Sequence, residues 1–135
     1  MATLRDCQVV KLPKVHSRSG NLTAIEPGIN YPIEIKRVFY LYDVPSGSDR
    51  GGHAHKTLFQ LLIAASGSFE IVLDDGREHQ TFFLNRPDRG LLVTPGIWGE
   101  LQEFSAGAIC LVMASDVYLE EDYLRDMDNF RRFKQ

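Results

Sequence analysis

The chain has 135 residues, a formal charge of −3 at pH 7 with its histidines neutral, and 44% hydrophobic residues. That length suits one ordinary domain, residues 1–135, with a real core, and is short for two. The mildly acidic balance gives no electrostatic reason to expect nucleic acid or an anionic membrane as partner, so a phosphate-bearing ligand must be met by local cations.

Cys7 and Cys110 form no CxxC pair, no apolar N-terminal stretch resembles a signal peptide, and no run approaches the roughly 20 apolar residues of a membrane helix. These features predict a reduced, cytoplasmic protein with inert core cysteines.

Short alternating or β-branched runs recur between turn residues. They predict strands at Gln8–Leu12, Leu22–Glu26, Ile33–Val44, His53–Ala65, Ser68–Leu73, Glu78–Leu84, Gly90–Thr94, Leu101–Phe104 and Ala108–Ala114. Ser66-Gly67 and Asp75-Gly76 read as turns, the second suited to a hairpin because glycine accepts a positive φ. After Asp116, a candidate N-cap, Leu119, Tyr123, Leu124 and Met127 fall near helical spacing, with Glu120, Glu121 and Asp122 in the first turns. The expected fold is mostly β, a small antiparallel barrel with a short C-terminal helix on its exterior.

The chemistry concentrates in Arg50-Gly51-Gly52-His53-Ala54-His55-Lys56. On a strand, His53 and His55 leave the same face, and histidine is the side chain whose unperturbed pKa lies near neutrality. A metal site in a β-barrel of the cupin type adds a Glu shortly after such a pair and a third His later. Here residues 57–60 are Thr-Leu-Phe-Gln, and Gly99 occupies the later position. Two imidazoles fall short of the usual three or four ligands, so no metal is expected. Proton transfer asks for less: a base, a group that returns the proton, and a site that excludes water.

Further candidates flank the pair. Tyr40 and Tyr42 share a strand face with Val38 and Glu34, either as hydroxyl relays or as half-buried barrel residues. Arg37, Arg50 and Lys56 offer cations for phosphate or simply face solvent, with Arg18 and Arg89 as weaker candidates. Trp98 either lines a pocket or sits in the core or at a rim.

Three sets of residues carry a family resemblance. They are Ile35-Lys36-Arg37-Val38-Phe39-Tyr40; the histidine segment with Gln60 and Leu73-Asp74-Asp75-Gly76; and Pro95-Gly96-Ile97-Trp98-Gly99-Glu100 with Ala114-Ser115-Asp116, Tyr118, Tyr123, Asp128, Asn129 and Phe130. Together they resemble the dTDP-4-keto-6-deoxyglucose 3,4-ketoisomerases over nearly the whole chain. The resemblance implies a cupin-like (jelly-roll) fold and a homodimer, with exchange of the N-terminal strand Gln8–Leu12. It also implies no metal or other cofactor, a dTDP-linked 4-keto-6-deoxyhexose substrate, and a role in making deoxyamino sugars for bacterial surface glycans. His53 is then the leading base, His55 its partner in proton return or oxyanion stabilisation, and Tyr40 a hydroxyl relay. Arg37, Arg50, Lys56, Tyr42, Gln60 and Trp98 are the substrate-binding set. Phe59 and Gly99 depart from relatives that carry Glu and often His there. The alternatives are a nucleotide-sugar 3,5-epimerase and a non-catalytic sugar-binding cupin.

Overall fold

The computed structural model describes residues 1–26 and 34–135. Its strands are β1 (Gln8–Lys11), β2 (Val15–Ser17), β3 (Gly20–Leu22), β4 (Arg37–Leu41), β5 (Arg50–His55), β6 (Gln60–Ser66), β7 (Phe69–Asp74), β8 (His79–Leu84), β9 (Arg89–Val93), β10 (Trp98–Gln102), β11 (Ile109–Ala114) and β12 (Tyr123–Leu124), and the helix is α1 (Met127–Lys134). Two five-stranded antiparallel sheets form, in the orders β1-β9-β6-β11-β4 and β12-β5-β10-β7-β8, while β2 and β3 pair with each other in a separate ribbon. This is the mostly-β jelly-roll expected, as two facing sheets with open edges.

Period-two patterning builds the interior. Along β7, Phe69, Ile71 and Leu73 are buried while Glu70, Val72 and Asp74 are half-buried. Strand β11 repeats the pattern with Cys110, Val112 and Ala114 facing inward. These faces meet in one apolar cluster, where Phe69 stacks on Phe104 at 5.3 Å. The Asp75-Gly76 turn forms as expected: Gly76 takes φ +95°, and the Asp75 carboxylate accepts from the backbone N–H groups of Arg77, Glu78 and Leu4.

Several elements differ from the sequence expectation. The run His53–Ala65 is two strands in different sheets, with the chain crossing between them after His55. Asp122 pins that crossing, its backbone carbonyl accepting from Lys56 N–H at 3.0 Å and its Oδ1 from Thr57 N–H and Oγ1–H at 2.9 and 2.7 Å. Of Leu22–Glu26 only Leu22 is in a strand, and Ile33–Val44 contracts to Arg37–Leu41, with Ile33 outside the described residues.

The helix does not begin after Asp116. Residues Glu120–Asp122 make one 3-10 turn, after which Tyr123 and Leu124 pair with His55 and Ala54. Backbone groups committed to that ladder are withdrawn from a helix, and α1 starts at the next cap, Asp126, whose side chain accepts from Asp128 N–H and Asn129 N–H.

Helix α1 packs on the outer face of the second sheet. Phe130 is fully buried against Ala54, Trp98 and Leu124, with the Trp98 and Phe130 rings 5.8 Å apart. Trp98 is therefore a packing residue beneath the helix rather than a pocket residue, because alternation along β10 turns Gly99 and Leu101 inward and Trp98 outward. Lys134 Nζ then donates to the carbonyls of Ala2 (2.6 Å) and Gly96 (2.8 Å), tying both ends of the chain together. Phe130→Ala should lower unfolding stability by about 3–5 kcal/mol, the usual loss for a buried Phe truncation. Urea titration followed by tryptophan fluorescence measures it, and a loss below about 1 kcal/mol would show that helix docking adds little.

Candidate active site

The geometry of the site starts with a glycine pair. In the ladder between β5 and β10, His53 faces Gly99 and Arg50 faces Leu101, so Gly51 and Gly52 together oppose Glu100. This is a β-bulge, and Gly51 carries it at φ +83°, a conformation that strains residues with a Cβ. Strict alternation would put Arg50 on the face opposite the histidines. The extra residue shifts the parity and returns Arg50 to their side.

That side is a cavity of about 210 Å³ between the sheets. Its polar lining among the described residues is Arg50, His53, His55, Gln60, Thr94 and Arg125, with no carboxylate, set among apolar side chains such as Leu62, Ile71 and Leu73. The His53 and His55 rings stand 4.9 Å apart and nearly perpendicular, at 86°. Tyr123 touches both, with ring centroids 4.3 Å from His55 and 5.0 Å from His53. Arg125 lies over Tyr123 at 4.2 Å and is held at the half-exposed mouth by Glu120.

The histidines differ in their neighbours. His55 Nδ1 lies 3.3 Å from Asp122 Oδ2, an ion-pair distance at which the N–H is not yet aimed along the hydrogen-bond line. The charged groups that act on His53 are His55 and Arg125. Burial pushes both imidazoles down to about 4, helped at His53 by His55 and Arg125, and opposed at His55 by Asp122. Both rings are therefore neutral near pH 7 and able to accept a proton.

The family described as FdtA: WxcM-like, C-terminal matches residues 5–135. A TDP-4-oxo-6-deoxy-alpha-D-glucose-3,4-oxoisomerase of Aneurinibacillus thermoaerophilus is 42% identical over 126 residues, covering 93% of this chain and 91% of that protein. The chain belongs to the WxcM-like, C-terminal family.

Solved structures of similar proteins include a 3,4-ketoisomerase from Helicobacter canadensis, with a TM-score of 0.93, 44% identity, and 96% and 97% of the two chains covered. Another is a histidine-to-asparagine mutant of the 3,4-ketoisomerase QdtA from Thermoanaerobacterium thermosaccharolyticum in complex with TDP-4-keto-6-deoxyglucose. It has a TM-score of 0.95, 36% identity, and 98% and 96% coverage.

In this WxcM-like chain the structure brings four of the sequence candidates together: His53, His55, Arg50 and Gln60. Arg37 lies behind His55, its guanidinium over the rings of Phe39 and Tyr118 at 5.0 and 5.6 Å, in a recess shared with Thr57 and Asp122. Lys56 is exposed beyond the end of β5. Tyr40 and Tyr42 are 57% and 60% exposed and lie outside the cavity lining, because the inward face of β4 carries Phe39 and Leu41. The shared face expected for Val38, Tyr40 and Tyr42 exists, and it is the outer one. Gly99 lines the cavity opposite His53, so its missing side chain leaves space there, whereas Phe59 lies outside the lining.

Sequence reasoning missed Asp122, Tyr123 and Arg125 as site residues. A usable signal was present: Tyr123 and Arg125 alternate like strand residues before the cap residue Asp126, which marks the true start of the helix.

The neutral histidines set a pH window. An unfolded histidine binds its proton near the ordinary value of 6.5, whereas the folded pair holds out to about 4, so the unfolded state takes up more protons in between. Their contribution to stability is full above pH 6.5 and is lost as the pH falls toward 4. Urea midpoints across that interval should fall steadily, with a shallower slope in the His53→Asn/His55→Asn double variant. Equal slopes in the two proteins would contradict the assignment.

Proposed function

We propose that the chain isomerises TDP-4-keto-6-deoxyglucose to the 3-keto isomer by histidine-mediated proton transfer between C3 and C4. The observation that carries the reading is the pair of neutral imidazoles facing a cavity whose described lining has two arginines and no carboxylate. The C4 ketone acidifies the C3 hydrogen. His53 removes it, the electron pair spreads into an enediolate across C3 and C4, and the proton on the C3 oxygen passes to the C4 oxygen. Reprotonation at C4, assisted by His55, leaves the ketone at C3, with atoms and electrons balanced and no redox partner. Cationic groups at the cavity stabilise the enediolate oxygens as negative charge develops.

The cavity is smaller than the roughly 300 Å³ lower bound of drug-sized pockets, so in this reading it seats the sugar ring alone. Gln60 and Arg50 bind within it, and the diphosphate lies along the mouth toward Arg125. Arg37 acts behind His55, and Lys56 lies in solvent. Tyr40, Tyr42 and Trp98 are left out of the substrate contacts. No group of three or more His, Cys, Asp or Glu residues able to hold a metal occurs among the described residues, and the mechanism uses none. Both cysteines are buried and free, in keeping with a reducing, cytoplasmic setting.

We also infer a homodimer. The outer face of edge strand β4 exposes Val38 and Tyr40, followed by Tyr42, and β1 forms the opposite edge of the same sheet by pairing with β9 of its own chain. Such edges are covered in stable β-proteins. Exchange of the N-terminal strand is compatible with this position.

Chelator-treated protein incubated with TDP-4-keto-6-deoxyglucose should form the 3-keto isomer, identified by NMR. His53→Asn should bind TDP normally and turn over at least about a hundredfold more slowly. Near-wild-type turnover in His53→Asn would remove it as the base, solvent deuterium entering C5 would indicate an epimerase, and binding without exchange would indicate a sugar-binding protein. Sedimentation equilibrium should give twice the chain mass, and a concentration-independent monomer would contradict the dimer.

A further inference from the structure

We propose that Asp122 is a positioning residue that gives the two histidines different tasks, holding His55 through Nδ1 so that His55, not His53, carries the proton returned to C4. The inference rests on the ketoisomerase reading and goes beyond it by dividing the labour.

The carboxylate of Asp122 is nearly enclosed, with a side-chain exposure of 10% against 6% for His55. Its Oδ1 is occupied by Thr57, which donates both N–H and Oγ1–H. Oδ2 is left for His55 Nδ1 at 3.3 Å. The backbone fixes the same relation, because Tyr123 pairs with His55 in the β12–β5 ladder and Lys56 N–H donates to the Asp122 carbonyl. A proton on Nδ1 therefore points to a carboxylate, which leaves the Nε2 lone pair without a partner among the described residues, on a ring that lines the cavity. Hydrogen bonds of this type often tighten only when substrate is bound.

The charged groups around His55 are Asp122, Arg37 from β4, Arg125 beyond β12, and His53 on its own strand. One of them is negative. The charged groups that act on His53 are His55 and Arg125. Asp122 thus offsets part of the burial cost of an imidazolium at His55, whereas both charged groups acting on His53 add to that cost.

The sequence of events follows. The C3–H bond breaks and His53 gains the proton, the proton passes to the adjacent His55, and the His55 N–H bond breaks as the C4–H bond forms. Both rings end neutral.

Asp122→Asn tests the assignment. Its carbonyl oxygen keeps both Thr57 hydrogen bonds while its NH2 faces His55 Nδ1, which must then accept, forcing the proton onto Nε2. Isomerisation should fall about a hundredfold, whereas solvent exchange at C3 should stay within about threefold of wild type and TDP affinity should not change. In ligand-free protein, 15N NMR should show the His55 proton moving from Nδ1 to Nε2. Equal losses of exchange and isomerisation, or isomerisation within about threefold of wild type, would overturn the proposal.

If Asp122→Asn does not fold, Thr57→Ala keeps the carboxylate and the backbone N–H bond to Oδ1 and removes the Oγ1–H donor that helps aim it. Isomerisation should then fall about tenfold with exchange retained, and no separation of the two rates would overturn the proposal. A wild-type protein showing neither exchange nor isomerisation would refute the ketoisomerase reading instead. The NMR tautomer would still decide the position of Asp122, an unchanged tautomer counting against it.

Discussion

The short antiparallel pairing of Tyr123–Leu124 with His55–Ala54 holds the working parts of this protein in register. On the inner side it sets Asp122 and Tyr123 against the histidine rings and brings Arg125 to the cavity mouth. On the outer side it feeds Leu124 into the cluster of Ala54, Trp98 and Phe130 beneath α1. Because successive residues of a strand face opposite sides, one two-residue ladder couples helix docking to the geometry of the site.

Electrostatics follow from burial combined with selective pairing. The chain as a whole is acidic, at −3, yet the described cavity lining has two arginines and no carboxylate. A buried histidine without a close anion gives up its proton, and that makes it a base. The carboxylate that does approach, Asp122, comes from behind the lining and lies beside His55. Two identical side chains one residue apart thus acquire different surroundings.

Much of the fold was legible because it depends on local pattern. The alternation in β7 and β11, the Asp75-Gly76 turn and the shared face of His53 and His55 all follow from the period of a strand and from the φ range open to glycine. The side to which a given face turns is not local. Tyr40 and Tyr42 share the face expected for them, and that face is the outer one, since Phe39 and Leu41 fill the interior. Arg50 shows the reverse case, where the bulge at Gly51 overrides simple parity and brings the side chain inward.

The sequence by itself determined the β-rich architecture, the histidine pair, the shortage of metal ligands and, through motifs spread along the chain, the resemblance to the sugar 3,4-ketoisomerases. Tertiary structure decided which sheet each half of His53–Ala65 joins, where the helix begins, and that Asp122, Tyr123 and Arg125 come to stand beside the histidine pair. The physical reason is sequence distance. Asp122 acts on His55 only after the chain has returned across the domain to add β12 to the edge of β5, and hydrophobic periodicity records which residues are buried, not which strands become neighbours.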